Sequence, residues 1–135
     1  MKELLYRDLT YKLRGSFFQI RNNYGPGQKE SVYVNLIKEW LEINHISYEK
    51  EKSIKIYSNE TGKIVGFYRP DIVVDEKIVI EVKSSKITRK QDEKQLYFYL
   101  RNSKYQIGFL VNFSTPKLYI KRIIYTNDRK PFLKT

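Results

Sequence analysis

Leu5, Leu9, Leu13 and Phe17 recur every fourth residue, with Phe18 and Ile20 beside them. Side chains at that spacing return to one face of an α-helix, so residues 2–22 are expected to form an amphipathic helix. Gly25, Pro26 and Gly27 end it. Val32, Tyr33, Leu36, Ile37, Trp40 and Leu41 then repeat as adjacent pairs every four residues, which predicts a second helix over 28–44. Residues 48–57 and 63–68 read as strands joined by a polar turn at 58–62. Pro70 cannot donate to a ladder and is expected to start the strand that carries Asp71 rather than interrupt one. Ile72, Val73 and Val74, the polar turn Asp75, Glu76 and Lys77, and the apolar run 78–82 together predict a hairpin. Residues 88–102 read as a third helix, with Leu96, Tyr97, Tyr99 and Leu100 on one side and Lys90, Glu93, Lys94 and Arg101 polar. Two strands close the chain at 106–112 and 117–125, the first apolar enough to be central. With no internal repeat and no linker, residues 1–135 are expected to form a single domain.

The hairpin has chemical content. If its turn occupies 75–77, Val74 faces Ile78 and, counting back, Asp71 faces Glu81. Opposed residues have Cβ atoms roughly 4.5 to 5.5 Å apart, and two carboxylates at about 5 Å repel by roughly 3 kcal/mol at an effective dielectric of about 20. A shared proton, a neighbouring cation or a bound metal ion would each offset that repulsion. Because side chains alternate along a strand, Glu81 and Lys83 share a face, so an ammonium joins the two acids. A strand-end salt bridge would use the same residues. Ile78, Val79, Ile80 and Val82, however, make the strand apolar on both faces, and a glutamate there is not simply a solvated charge. Glu30 stands in the first turn of the second helix, where a carboxylate also complements the helix dipole. Gln95 and Tyr99 lie four apart on one face of the third helix.

Composition narrows the partner. Twenty-six basic against 15 acidic residues give a net charge of +11, which points to a polyanion. Abundant Lys, Ile, Asn and Tyr and the absence of alanine suggest a coding bias, but such a bias would raise Glu alongside Lys. The absence of cysteine excludes a disulfide framework and a thiolate zinc site. The best apolar stretch, 107–111, is five residues, far short of a membrane span, and the opening MKELLYRDLTYKLRG has no signal-peptide core. A cytoplasmic protein without membrane association is the expectation. His45, the only histidine, follows the second helix and reads as a surface or capping residue.

On these residues the chain resembles the GxxExxY proteins, a branch of the PD-(D/E)xK nuclease superfamily. Gly27, Glu30 and Tyr33 match the name motif, and LTYKLRGSFFQIRNNYGPG looks like that family's leading helix and its stop. Pro70 and Asp71, followed after nine residues by Glu81, Val82 and Lys83, match the superfamily signature, and Gln95 and Tyr99 its Gln-x-x-x-Tyr element. LVNFSTPKLYIKRI resembles the closing strands, so the resemblance covers about residues 9–124. Two positions depart from the pattern: Asp92 and Arg21 stand where histidines are usual, which bears on substrate choice and rate rather than on fold.

The resemblance implies an α/β restriction-endonuclease-like core, a central mixed β-sheet flanked by helices, with an N-terminal helical segment. It implies that Glu30, Asp71, Glu81 and the Val82 carbonyl hold Mg²⁺ or Mn²⁺, oxygen ligands suited to a hard ion. Lys83 would position or deprotonate the attacking water, Gln95 would orient the water or the phosphate, and Tyr99 would act or pack. Arg69, Lys86, Arg89 and Lys90 lie in sequence where they would grip flanking phosphates of nucleic acid. The expected activity is metal-dependent hydrolysis of phosphodiesters, DNA favoured over RNA. The alternatives are a non-catalytic nucleic-acid-binding module on the same fold and an interaction subunit. A domain this small offers little surface to define a substrate, so a homo-oligomer or a larger complex is also expected.

Overall fold

The computed structural model describes residues 5–134. Helix α1 (Arg7–Tyr24) buries Leu13, Phe17 and Ile20 along one face, and helix α2 (Glu30–Ile43) buries Tyr33, Val34, Ile37 and Leu41. α1 begins later than its periodicity predicts, because Tyr6 takes a left-handed φ of 53° that starts the helix at Arg7. Residues 2–4 of the expected helix lie outside the described residues. Leu5 and Leu9 pack only partly against the core, and Phe18 falls off the stripe at 45% exposed. Gly25 leaves α1 at φ 71°, its N–H bonded to the Arg21 carbonyl, in a conformation a side chain would disfavour.

Five strands form a mixed sheet in the order β1 (Tyr48–Lys50), β4 (Ile72–Val74), β5 (Ile78–Lys83), β6 (Ile107–Asn112), β7 (Tyr119–Ile124). β5 and β6 run parallel, joined through helix α3 (Lys90–Arg101), and the other neighbours are antiparallel. β2 (Ile54–Tyr57) and β3 (Ile64–Tyr68) pair with each other in a separate hairpin. The single strand expected over 48–57 is therefore two strands in two sheets. The break falls where Glu51, Lys52 and Ser53 offer nothing apolar to bury and Glu51 turns left-handed at φ 55°. Pro70 precedes its strand by two residues, and Asp71 sits in the bend between.

The sheet is covered on both faces. On one, Ile72, Ile80 and Phe109 pack with Phe17, Tyr33 and Ile37 of the two N-terminal helices, and Phe17 meets Phe109 edge to face at 5.5 Å. On the other, Val79, Leu110 and Ile123 pack with Leu96 and Leu100 of α3 and with Ile54, Ile56 and Tyr68 of the hairpin. All six residues of β6 are buried, as its apolar run predicts for a central strand. A methyl group on Gly108 would lie 2.9 Å from Val79 and 3.1 Å from Leu96, so the glycine is what lets α3 approach β6. His45 is exposed at φ 56° just past α2. Among the described residues no helix is long and apolar enough to cross a membrane.

Candidate active site

The β4–β5 register pairs Val74 with Ile78 and Ile72 with Ile80, so the next step brings Asp71 opposite Glu81. Asp75 and Glu76 both take positive φ, 50° and 54°, the backbone sense that matches the twist of a tight hairpin. Reciprocal bonds lock the two acids. The Asp71 N–H donates to Glu81 Oε1 at 3.0 Å, and the Val82 N–H donates to Asp71 Oδ2 at 2.7 Å. Part of the carboxylate repulsion is thus offset by backbone donors, a solution that strand counting does not reveal.

The remainder appears as raised pKa values. Burial raises the Asp71 pKa, opposed by the Val82 N–H and by Lys83, while the charge of Glu30 raises it further. Glu81 is pushed up to about 7, first by burial and then by Asp71, with the Asp71 N–H and Lys83 pulling the other way. The Tyr68 hydroxyl is buried beside Glu81 without a well-formed hydrogen bond, and burial lifts its pKa as well.

Glu81, Lys83, Gln95 and Tyr99 line one narrow cleft with Tyr68 and Asp92. It has about 10 Å³ of room, enough for about one water. Gln95 Nε2 donates to the Tyr99 hydroxyl at 3.4 Å, and the Tyr99 ring stacks on Tyr68 at 3.8 Å. Asp92, at a position where the resemblance leads one to expect histidine, lies 3.6 Å from Arg89 Nη2. Arg69, Lys86, Arg89 and Lys90 are all exposed, Arg69 beside Tyr68 in sequence and the other three on the segment from β5 into α3.

Glu30 is exposed at the first position of α2 and acts on Asp71 through its charge. Among the described residues no three acids or histidines gather closely enough to hold an ion by themselves. The structure therefore brings Asp71, Glu81, Lys83, Gln95 and Tyr99 together and leaves Glu30 at their edge.

What holds Glu30 there is a loop that sequence patterning missed. The Tyr33 hydroxyl donates to the Gly25 carbonyl at 2.6 Å and accepts from the Gln28 N–H at 3.1 Å, while its ring stacks on Phe113 at 4.5 Å. Gly27, at φ 93°, donates its N–H to Ser114 Oγ at 2.9 Å. Ser84 Oγ, directly after Lys83, donates to the Gln28 carbonyl and sits 2.6 Å from Ser114 Oγ. Arg21 bonds the carbonyls of Phe113 and Pro116 at 3.2 and 2.8 Å, which gives it a structural use. Asn112, wholly buried, accepts from the Ser85 and Ser114 N–H groups and donates to the hydroxyls of Ser85 and Thr88. Its one signal in the sequence is that it closes an otherwise apolar run.

The donor set suits a hard divalent cation. Asp71 and Glu81 each keep one carboxylate oxygen outside the two reciprocal bonds. The N–H and C=O of a strand residue leave on the same side, so the Val82 carbonyl faces away from β6 as its N–H does. Such oxygens, completed by water, are what Mg²⁺ takes.

Residues 7–123 match the sequence pattern of the PD-(D/E)XK nuclease superfamily. The fold superposes on the crystal structure of SSO0001 with a TM-score of 0.52 at 19% identity, over 90% of this chain and 58% of that one. The chain thus spans less than two thirds of that protein's length. No curated protein matches. With a mixed five-stranded sheet flanked by helices and a family match over most of its length, the chain belongs to the PD-(D/E)XK nuclease superfamily and has its restriction-endonuclease-like α/β fold.

Proposed function

We propose that the protein hydrolyses phosphodiester bonds in nucleic acid, DNA favoured over RNA, with Mg²⁺ or Mn²⁺ held by Asp71, Glu81 and the Val82 carbonyl. The observation that carries this reading is the half-buried, reciprocally bonded Asp71–Glu81 pair with Lys83 beside it. A binding surface alone has no use for two opposed carboxylates, one of them with its pKa pushed up to about 7. A divalent cation, when bound, neutralises charge on the phosphate and makes a water more acidic.

The chain's own groups supply the rest. Asp71 and Glu81 offer oxygens fixed by backbone donors and would hold a cation with little reorganisation. Lys83 holds the attacking water or the phosphate with its ammonium. Gln95, steadied by Tyr99, orients the same group across a cleft of about one water's size. Tyr99 acts as packing, through its stack on Tyr68. Glu30 would complete the set from the rim, a role the GxxExxY resemblance of Gly27, Glu30 and Tyr33 supports. Arg69, Lys86, Arg89 and Lys90 grip phosphates on either side without reading sequence.

The edge position of Glu30 favours one other reading, a non-catalytic nucleic-acid-binding module on the same fold. Incubation of the protein with labelled single- and double-stranded DNA and RNA, in Mg²⁺, Mn²⁺ or EDTA, separates the two. Cleavage in either metal and none in EDTA supports the nuclease. Salt-sensitive binding of the same magnitude in all three, without cleavage, supports the module.

A further inference from the structure

We propose that a pocket on the sheet face opposite Glu81 is a second, non-catalytic site for the phosphate backbone of a nucleic-acid chain. Arg122 of β7 pairs with Phe109 of β6, and Phe109 packs on α1. Glu81 pairs across with Leu110, which packs on the α3 side. The two sites therefore lie on opposite faces of the sheet.

The pocket holds about 500 Å³ between α1 and β7, within the size range of ligand-binding cavities. Phe109 lies in its lining, and Arg7, Arg14, Arg122, Asp8 and Tyr11 line it as well. Arg122 is the decisive residue. Its Nε and Nη2 are buried and have no hydrogen-bond partner among the described residues. An arginine cannot shed its charge to relieve burial, and a buried charged donor left unmatched is costly. A planar guanidinium presents a donor fork that fits a phosphate.

The surroundings reinforce an anion. Among the described residues Asp8 forms no ion pair with any of the three arginines, so the pocket keeps an excess of positive charge. Arg7 and Arg14, two turns apart on the flank of α1, bring their charges to the same lining as Arg122. Arginine or lysine on an edge strand also discourages sheet extension, but that role is served by charges in water, whereas these two nitrogens are buried.

A chain fits better than a free nucleotide. Tyr11 is 79% exposed at the pocket, an open ring on which a base can stack. Arg122 also borders a shallow groove on the α3 side of β7, where Lys94 and Lys121 outnumber the single acid Glu93, itself bonded by the Tyr119 hydroxyl. The basic track thus continues around the sheet edge toward the face that carries Glu81. Phosphodiester chemistry at Glu81 is assumed only in choosing phosphate as the anion.

The test is carried out in EDTA, where cleavage is absent by design, so failure to bind here and failure to cleave in Mg²⁺ are separate results. A short single-stranded oligodeoxynucleotide is titrated into the full chain, with Arg Nε–H signals followed by NMR and affinity measured in parallel. The Arg122 Nε–H signal is expected to shift on binding. Arg122→Leu is expected to weaken affinity about tenfold, the size of one charged hydrogen bond. Arg7→Gln, at an exposed position that does not risk the fold, is expected to weaken it several-fold. Lys38→Gln on α2 serves as a control for loss of charge alone. An unshifted Arg122 signal, losses no greater than that of Lys38→Gln, or binding of inorganic phosphate without binding of the oligonucleotide would each overturn the proposal.

Discussion

Glu81 carries a proton up to about pH 7 in the folded protein, against an ordinary value of 4.5. Its folded pKa is raised, so the folded state binds more protons between those values. The stability this proton contributes is complete below pH 4.5 and is lost as pH rises through 7. The difference amounts to roughly 3 kcal/mol. In EDTA, Glu81→Gln is accordingly expected to be more stable than the wild type at pH 8, by roughly 1 to 3 kcal/mol. At pH 5 it is expected to gain little, as urea unfolding at the two pH values would reveal; an equal gain at both would contradict the assignment of the proton. Mg²⁺ is expected to stabilise the wild type at pH 8 and not this variant. Asp71, Glu81 and Lys83 were legible in the sequence because a hairpin turn fixes register and strand alternation fixes face, both of which are local. Tyr68 and Asn112 were not legible, since their partners come from other elements and no spacing within the chain announces them. Glu30 came only from family resemblance, and the fold leaves it at the rim rather than inside the cluster.

The loop between α1 and α2 decides where Glu30 stands. Tyr33 closes it with two hydrogen bonds from a single hydroxyl. Tyr33→Phe keeps the stack on Phe113 and removes both bonds. A loss of about 1 to 2 kcal/mol is expected, together with a lower Mg²⁺-dependent cleavage rate; a rate unchanged despite the stability loss would show that the loop does not serve the site. The packing of α3 on β6 gives a second test at this scale. Gly108→Ala puts a methyl group 2.9 Å from Val79 and 3.1 Å from Leu96, and overpacking of this kind costs about 1 to 3 kcal/mol. Urea unfolding measures it, and a neutral result would mean that α3 sits farther from the sheet. Helices could be read from the sequence because each apolar stripe faces one core, and central strands because they are apolar on both faces. The segment 48–57 could not, because its ends pair in different sheets and only tertiary pairing reveals that. Tyr6 and Glu51 broke the expected elements through left-handed backbone, which their residue types do not advertise.

At the scale of the whole molecule, a net charge of +11 surrounds a cluster whose own carboxylates would repel a phosphate. Under the proposed function the excess charge would draw nucleic acid to the protein, and a cation at the carboxylates would let the phosphate approach. Binding in EDTA is therefore expected to weaken steeply with salt. Replacing both Lys86 and Lys90 with Gln is expected to flatten that dependence, by about 0.7 in log–log slope for each single-strand phosphate that is no longer neutralised. An unchanged slope would remove those lysines from the interface. Metal-dependent hydrolysis by the Asp71–Glu81 pair is best tested by cleavage of labelled DNA in Mg²⁺ by the wild type and by Glu81→Ala, each verified as folded by circular dichroism. The wild type is expected to cleave in a reaction that EDTA abolishes, and the variant to be slower by at least about a hundredfold; cleavage by Glu81→Ala at the wild-type rate would contradict the assignment.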